Sequence, residues 1–219
     1  GAATTGGGAA TASAKTPRFQ SGPETDFTRQ VRMKGLSPAT RYRVRILIEQ
    51  TAGPEGRREM VLAAQGEFTT LPDASVSAPV TFAWSGDLGG QQRCRIGADG
   101  YPIFNQLRRQ ALDFFLFLGD TIYSDDTCPS PPNEPGADFK ATTLEQYRLR
   151  HRYQRDALAL RRFLETVPVY VVWDDHEVKN DFSGPFDPQT AAGRQALRDY
   201  WPIASPPDDP QRLYRSVRY

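Results

Sequence analysis

The sequence is poor in cysteine and histidine, with two of each among 219 residues. Two cysteines, Cys94 and Cys128, are too few for a disulfide-based scaffold or a zinc finger. An excess of charge of either sign is also missing, because 27 Lys and Arg residues face 26 Asp and Glu residues. The net charge of +1 gives no electrostatic reason to expect nucleic acid or an anionic membrane as a partner.

Long apolar segments are absent as well. The longest apolar runs, 112–118 and 167–173, fall far short of the roughly 20 residues that cross a bilayer, so no membrane helix is predicted. No charged start precedes an apolar stretch and a cleavage site, so no signal peptide is visible. Because 38% of the residues are hydrophobic and 11% aromatic, the chain can still form a core, and the composition predicts a soluble globular protein.

The first 75 residues divide into two parts. Residues 1–25 are rich in Gly, Ala, Thr, Ser and Pro and have too few large apolar side chains to offset their ordering entropy. They are predicted to be a flexible tail or a loop. This second part alternates in polarity over 25–36, 41–50 and 66–72 and is assigned to residues 26–75; the alternation predicts three β-strands. Three strands cannot close a sandwich, so this stretch is interpreted as part of an immunoglobulin- or fibronectin-III-like domain.

A different pattern begins at Ala78. Three apolar runs each end in an acidic residue: 78–87, 112–120 and 167–175. Near-continuous apolar strands are typical of a sheet that is covered on both faces. Helical patterns occupy 100–110, the long stretch 142–167 that begins at a Thr cap, and 188–202, and a further strand is expected in 212–219. Strands alternating with helices predict an α/β domain with parallel strands.

The acidic residues stand where chemistry is expected. Sites in open α/β sheets form at the carboxyl ends of the strands, which here carry SGD, GDTIY and WDDHE. A charge at the end of a buried strand is costly unless it is paired or bound to a metal. Carboxylate oxygens suit hard cations, and the phenol of Tyr123 particularly suits Fe³⁺. Two such ions could clamp a phosphoryl group and activate water.

The segments SGD (85–87), GDTIY (119–123) and WDDHE (173–177), in this order and spacing, resemble the PhoD-like alkaline phosphatases and phosphodiesterases. These enzymes belong to the calcineurin-like and purple-acid-phosphatase metallophosphatases. The resemblance implies that residues 78–219 are the N-terminal part of an αββα sandwich. It also implies a preceding fibronectin-like domain, to which GLSPATRY is similar, and a secreted, periplasmic or cell-surface location.

The resemblance implies a site that binds two or more metal ions. The expected pair is Fe³⁺ with Ca²⁺, and Zn²⁺ or Mn²⁺ are the alternatives. Asp87 would bind the first ion, Asp120 would bridge the ions, Tyr123 would bind the ferric ion as phenolate, and Asp175 would bind the second. The wider superfamily has a histidine two residues after the first aspartate, and Gly89 stands there instead.

Other residues gain roles from the same resemblance. His176 would contact the phosphate or protonate the leaving oxygen, while Asp174 and Glu177 would orient the ligands. Asn180 would reach the second metal or the phosphate. The implied reaction is the hydrolysis of phosphomonoesters or phosphodiesters by metal-bound hydroxide. The resemblance also implies further metal ligands from the C-terminal half of the fold, including histidines. This chain has only two histidines, His151 and His176, so a C-terminal remainder or a second polypeptide would complete the site.

Several alternatives stay open. The chain could be a non-catalytic surface-binding module on a degenerate phosphatase fold, or an assembly component completed by another chain. Cys94 and Cys128 form a disulfide or two free thiols. Arginines at 148, 150, 152 and 155 could hold a phosphate bidentately, with Arg148 as the substrate-binding candidate, although a solvated basic face is favoured. His151 is expected at the surface or behind the ligands, and Trp84 in the core.

Overall fold

The computed structural model describes residues 15–53 and 56–217, which form a β-hairpin and an α/β unit. The hairpin strands are β1 (Arg41–Ala52) and β2 (Arg57–Thr69). The strands of the α/β unit are β3 (Phe82–Ser85), β4 (Phe114–Leu118) and β5 (Val169–Val172). Its helices are α1 (Ile103–Leu107), α2 (Leu144–Arg155), α3 (Leu158–Leu164) and α4 (Thr190–Tyr200). Short 3₁₀ helices lie at Pro23–Thr25 and Asp175–Glu177.

The three apolar runs form a parallel sheet in the order β3–β4–β5, as predicted. Phe82 pairs with Phe114, and Phe115 pairs with Val169. Parallel neighbours need crossover connections, and α1 and then α2–α3 supply them. The carboxyl ends of all three strands therefore meet at one edge of the sheet.

One face of this sheet is covered by helices. Phe115, Phe117 and Val171 point to the same face because side chains alternate along a strand. They pack in one buried cluster with residues of α1, α3 and the C-terminal end of α4: Phe104, Leu160, Phe163, Leu197 and Trp201. The rings of Phe115 and Phe163 meet edge to face at 5.3 Å. This cluster is the core that supports the strand ends.

The opposite face is partly open. Phe82, Trp84 and Leu118 are 49%, 65% and 45% exposed, so the described residues cover only one face of the sheet, and Trp84 is not buried in the core as expected. Phe114 is nevertheless buried, because it stacks on Phe82 at 5.1 Å and meets Tyr170 at 5.5 Å.

The long helix expected over 142–167 is two helices. Its start was predicted correctly, since the Thr143 hydroxyl accepts from the backbone N–H of Gln146 in a capping box. The chain leaves the helix at Ala157, which has extended backbone angles. The N–H groups of Leu158 and Ala159 donate to the carbonyls of Ala98 and Asp99 instead. A distant loop therefore ends the first helix and begins the second.

Two expected strands are absent from the described residues. In 25–36 there is no strand: Asp26 and Phe27 have positive φ angles of 52° and 58°, and the chain is irregular after the first 3₁₀ helix. Residues 212–217 are also irregular, and the rest of that predicted strand lies outside the described residues. Within the predicted flexible segment, the carbonyls of Pro23 and Glu24 accept hydrogen bonds from Arg148, whereas residues 1–14 lie outside the described residues.

The hairpin contacts the α/β unit where the N–H of Glu67 donates to the carbonyl of Glu165 at 2.9 Å. The described part of residues 26–75 forms two strands where three were predicted. The likeness of this stretch to a fibronectin-type domain therefore stays a prediction. Among the described residues, no helix combines the length and apolarity that crossing a bilayer requires.

Candidate metal centre

The ends of β4 and β5 approach each other at Gly119. Its φ is +93°, and a Cβ placed there would lie 2.4 Å from the Cβ of Asp174. Only glycine tolerates both the backbone conformation and the contact. The next residue, Asp120, also has a positive φ of 52°, so the chain turns sharply and directs the two strand ends to one place.

Glu177 ties these two strand ends together. Its buried carboxylate accepts from the N–H of Thr121 at 2.6 Å, the hydroxyl of Thr121 at 2.8 Å, the N–H of Asp120 at 2.9 Å and the N–H of Asp174 at 2.8 Å. Burial raises the pKa of Glu177 to about 7, although these bonds favour the ionised form. The Asp174 carboxylate accepts from the Glu177 N–H in return, and the role of Asp174 and Glu177 in orienting metal ligands stays a prediction.

Asp120, Asp175 and His176 offer ligand atoms that all lie within 4.8 Å of one another. Asp120 is 6% exposed, and its carboxylate accepts from the N–H of His176 at 3.2 Å. Burial raises the pKa of Asp120 to about 6, with the nearby acids Asp174 and Asp175 adding to the effect and His176 opposing it. A cation placed among these atoms would relieve the cost of gathering carboxylates. The group therefore fits a hard metal ion.

Tyr123 and Asp87 belong to the same site. The hydroxyl of Tyr123 donates to the Asp87 carboxylate at 2.7 Å, which links the end of β3 to the loop after β4. Its ring stacks on His176 with 4.1 Å between centroids. Gly90 makes room for this ring, since a Cβ there would lie 2.4 Å from it. Burial and then the neighbouring Asp87 raise the pKa of Tyr123, so the phenol is protonated when no cation is bound.

Sequence reasoning missed Asp125. Its carboxylate lies 2.6 Å from Nδ1 of His176 and accepts from the N–H of Asn180 at 2.8 Å. Burial opposes charge on both partners, but their hydrogen bond prevails, raising the pKa of His176 and lowering that of Asp125. A second acid in the same loop, five residues after Asp120, was the available signal.

Asn180 is placed beside the site, with its side chain on Asp181 at 2.7 Å. The N–H of Asp181 donates to the Asp175 carboxylate at 2.6 Å. A direct contact of Asn180 with metal or phosphate stays a prediction.

The structure overturns the assignment of Arg148 to substrate binding. Its guanidinium pairs with the buried Asp199 at 2.8 Å and donates to the carbonyls of Pro23 and Glu24. The arginine is thus used to join α2, α4 and the N-terminal segment. A group whose nitrogens are all engaged in this way is a structural cation.

The prediction of a solvated basic face on α2 is also wrong. Arg150 is 3% exposed, Arg152 pairs with Asp26 and Glu145, and Arg155 lies over the ring of Trp201 at 4.4 Å. His151 is buried too and stacks on Tyr200, so it is not a surface residue. The two cysteines form a disulfide, which settles the alternative left open by the sequence.

Comparison with known proteins finds similar phosphatases. The family model for PhoD-like phosphatases matches residues 82–219. Alkaline phosphatase D from Bacillus subtilis (strain 168) is 29% identical over 182 residues, which cover 72% of this chain and 29% of the relative. A solved structure of PhoD is similar with a TM-score of 0.66 and 25% identity, over 90% of this chain and 38% of that one.

The structure of purple acid phosphatase PPD1 from seeds of yellow lupin (Lupinus luteus) is similar in fold, with a TM-score of 0.52 and 16% identity. That match covers 85% of this chain and 30% of the lupin chain. The chain thus spans 29% of the length of the curated relative and 38% of the PhoD structure. The mixed α/β fold and the family match agree with the motifs at the three strand ends, and this chain belongs to the PhoD-like phosphatase family.

Proposed function

We propose that this protein hydrolyses phosphomonoesters or phosphodiesters at a metal centre formed at the carboxyl ends of β3, β4 and β5. The observation that carries the proposal is that two carboxylates, Asp120 and Asp175, which would hold metal, converge with the imidazole of His176, which would face the phosphate. Candidate ligand atoms of the three residues all lie within 4.8 Å of one another. It is supported by the family to which the chain belongs.

The donor set indicates the kind of metal. Asp120 and Asp175 would hold the ions. Asp87 and Tyr123, which are hydrogen-bonded to each other in this structure, would add a carboxylate oxygen and a phenol oxygen as further ligands. Carboxylate and phenol oxygens fit Fe³⁺ with Ca²⁺, and Zn²⁺ or Mn²⁺ would also be accepted. When bound, such ions polarise the phosphoryl group and lower the pKa of water.

His176 serves the reacting phosphate. Asp125 holds its Nδ1, which leaves Nε2 as the nitrogen that hydrogen-bonds a phosphate oxygen or delivers a proton to the leaving oxygen. The stack on Tyr123 fixes the plane of the ring. Asn180 would complete the phosphate contacts from the loop that Asp125 anchors. The resemblance to exported phosphatases also supports a secreted, periplasmic or cell-surface location.

Asp120→Asn in the full-length protein tests the function against a matched control, Asp113→Asn. Asp113 lies just before β4, at the opposite end of the same strand, and its carboxylate accepts from the N–H of Thr81. We expect Asp120→Asn to lower hydrolysis of an aryl phosphate monoester and diester at least about 100-fold and to reduce bound metal, since a carboxylate that would hold the metal is lost. Asp113→Asn should keep both within about twofold.

Rates and elemental analysis by plasma mass spectrometry give the two readouts. Wild-type protein that hydrolyses neither ester, or Asp120→Asn that keeps full activity, would overturn the proposal.

A further inference from the structure

A disulfide bridges the two loops that lie behind the candidate site. Cys94 is in the loop after β3 and Cys128 is in the loop after β4, and the two are 7% and 2% exposed. Further bonds cross between the same loops. The N–H of Cys94 donates to the side chain of Asn133 at 2.8 Å, and the N–H of Gln92 donates to the Asp126 carboxylate at 3.0 Å.

Arg150 reaches the same place from α2. Its Nη1 donates to Sγ of Cys128 at 3.1 Å, and its Nη2 donates to the carbonyls of Asp126 and Phe139. The guanidinium lies 4.8 Å from the centre of the Phe139 ring. A buried cation that bonds backbone carbonyls on both sides of a loop fixes the path of that loop.

The segment braced in this way carries the partner of His176. Asp125 immediately precedes Asp126, whose carbonyl and carboxylate are both held. The Asp125 carboxylate, which holds Nδ1 of His176, therefore rests on this brace.

We propose that Arg150 and the Cys94–Cys128 disulfide are positioning residues for His176, which act by fixing the Asp125 loop beneath the imidazole. The inference rests on the proposed hydrolysis of phosphate esters and concerns the same site. Neither group touches the reacting phosphate, so their effect passes through Asp125. An imidazole displaced by a fraction of an ångström slows turnover without removing substrate binding.

Arg150→Met and Arg155→Met form a matched pair. Arg155 lies on the same helix, is also bonded to a backbone carbonyl, that of Tyr200, and also lies over an aromatic ring. In full-length protein we expect Arg150→Met to lower kcat about 10-fold with KM within about twofold. Arg155→Met should lower the melting temperature but leave kcat within about twofold. No effect of Arg150→Met on kcat, or equal effects of both changes, would overturn the inference.

A double-mutant cycle tests whether the disulfide affects kcat through Asp125. It keeps the inference testable if Arg150→Met does not fold. The disulfide is removed by Cys94→Ala with Cys128→Ala, in wild-type protein and in an Asp125→Asn background. If the disulfide acts through Asp125, its removal lowers kcat about 10-fold in the first background and less than about twofold in the second. Equal factors in both backgrounds would overturn the inference while leaving the proposed function in place. Absence of hydrolysis in the wild type would overturn the proposed function itself.

Discussion

The ends of β4 and β5 and the β1–β2 hairpin use their side chains in opposite ways. The strand ends bury charged groups such as Glu177 and Asp120, whereas the hairpin leaves Ile46, Ile48 and Met60 about half exposed. The reason is geometric, since no other described element covers either face of this two-stranded sheet. At the strand ends, neighbouring backbone N–H groups converge and can satisfy a buried carboxylate. Burial is therefore decided by the available partners and not by apolarity alone.

Glu177→Leu gives the largest expected effect at the strand ends. The change replaces the carboxylate by an apolar side chain of similar size and leaves three backbone N–H groups and the Thr121 hydroxyl without their acceptor. At about 1–3 kcal/mol for each buried unsatisfied donor, the free energy of unfolding should fall by at least about 4 kcal/mol. Urea denaturation measures it. A loss below about 1 kcal/mol would show that water reaches these four donors and replaces the Glu177 carboxylate as their acceptor.

A buried polar group that lacks a partner sharpens the comparison. His151 is as buried as Glu177, but its Nε2 has no hydrogen-bond partner, and burial and then Arg155 lower its pKa to about 3. Because the pKa is near 6.5 in the unfolded chain, the unfolded state takes up the proton first as the pH falls. Stability is therefore lost between pH 6.5 and about 3, at about 1.4 kcal/mol per pH unit.

His151→Phe keeps the stack on Tyr200 and removes the titrating group. Between pH 7 and pH 5, the free energy of unfolding of this variant should rise by about 2 kcal/mol relative to wild type. Urea denaturation at each pH gives this difference. Parallel pH curves for the two proteins would mean that His151 is protonated inside the fold.

Ile48→Thr in the hairpin gives the smallest expected effect. Ile48 is 47% exposed, and threonine keeps the β-branched shape that strands favour. The free energy of unfolding should change by no more than about 0.5 kcal/mol. A change above about 1 kcal/mol in a thermal or urea melt would show that the hairpin is packed against another surface, and the contrast with the strand ends would fail.

Local pattern was enough to predict the sheet and the positions of the acids. The apolar runs at 114–118 and 169–172 became parallel strands because their residues are apolar at every position. Asp120 and Asp175 lie where the chain leaves those strands, so parallel topology alone brings them to one edge. The cap at Thr143 could also be predicted from the local sequence, since it depends on residues only three apart.

The errors arose where the partner is distant in sequence. Arg148 bonds to Pro23, 125 residues away, and to Asp199, 51 residues away. The break after Arg155 depends on the carbonyls of Ala98 and Asp99. An arginine pattern on a helix looks the same whether these partners are present or not, so a solvated face and a buried one could not be told apart.

By itself, the sequence determined the alternation of strands and helices from Phe82 onward, the family motifs and the residue types available for a metal centre. The tertiary structure decided which of these groups meet. It paired Asp125 with His176, turned Arg148 and Arg150 inward, joined Cys94 to Cys128 and left one face of the sheet open. The physical reason is that propensity and strand topology act over a few residues, whereas pairing and burial depend on which distant groups the fold brings within hydrogen-bond distance.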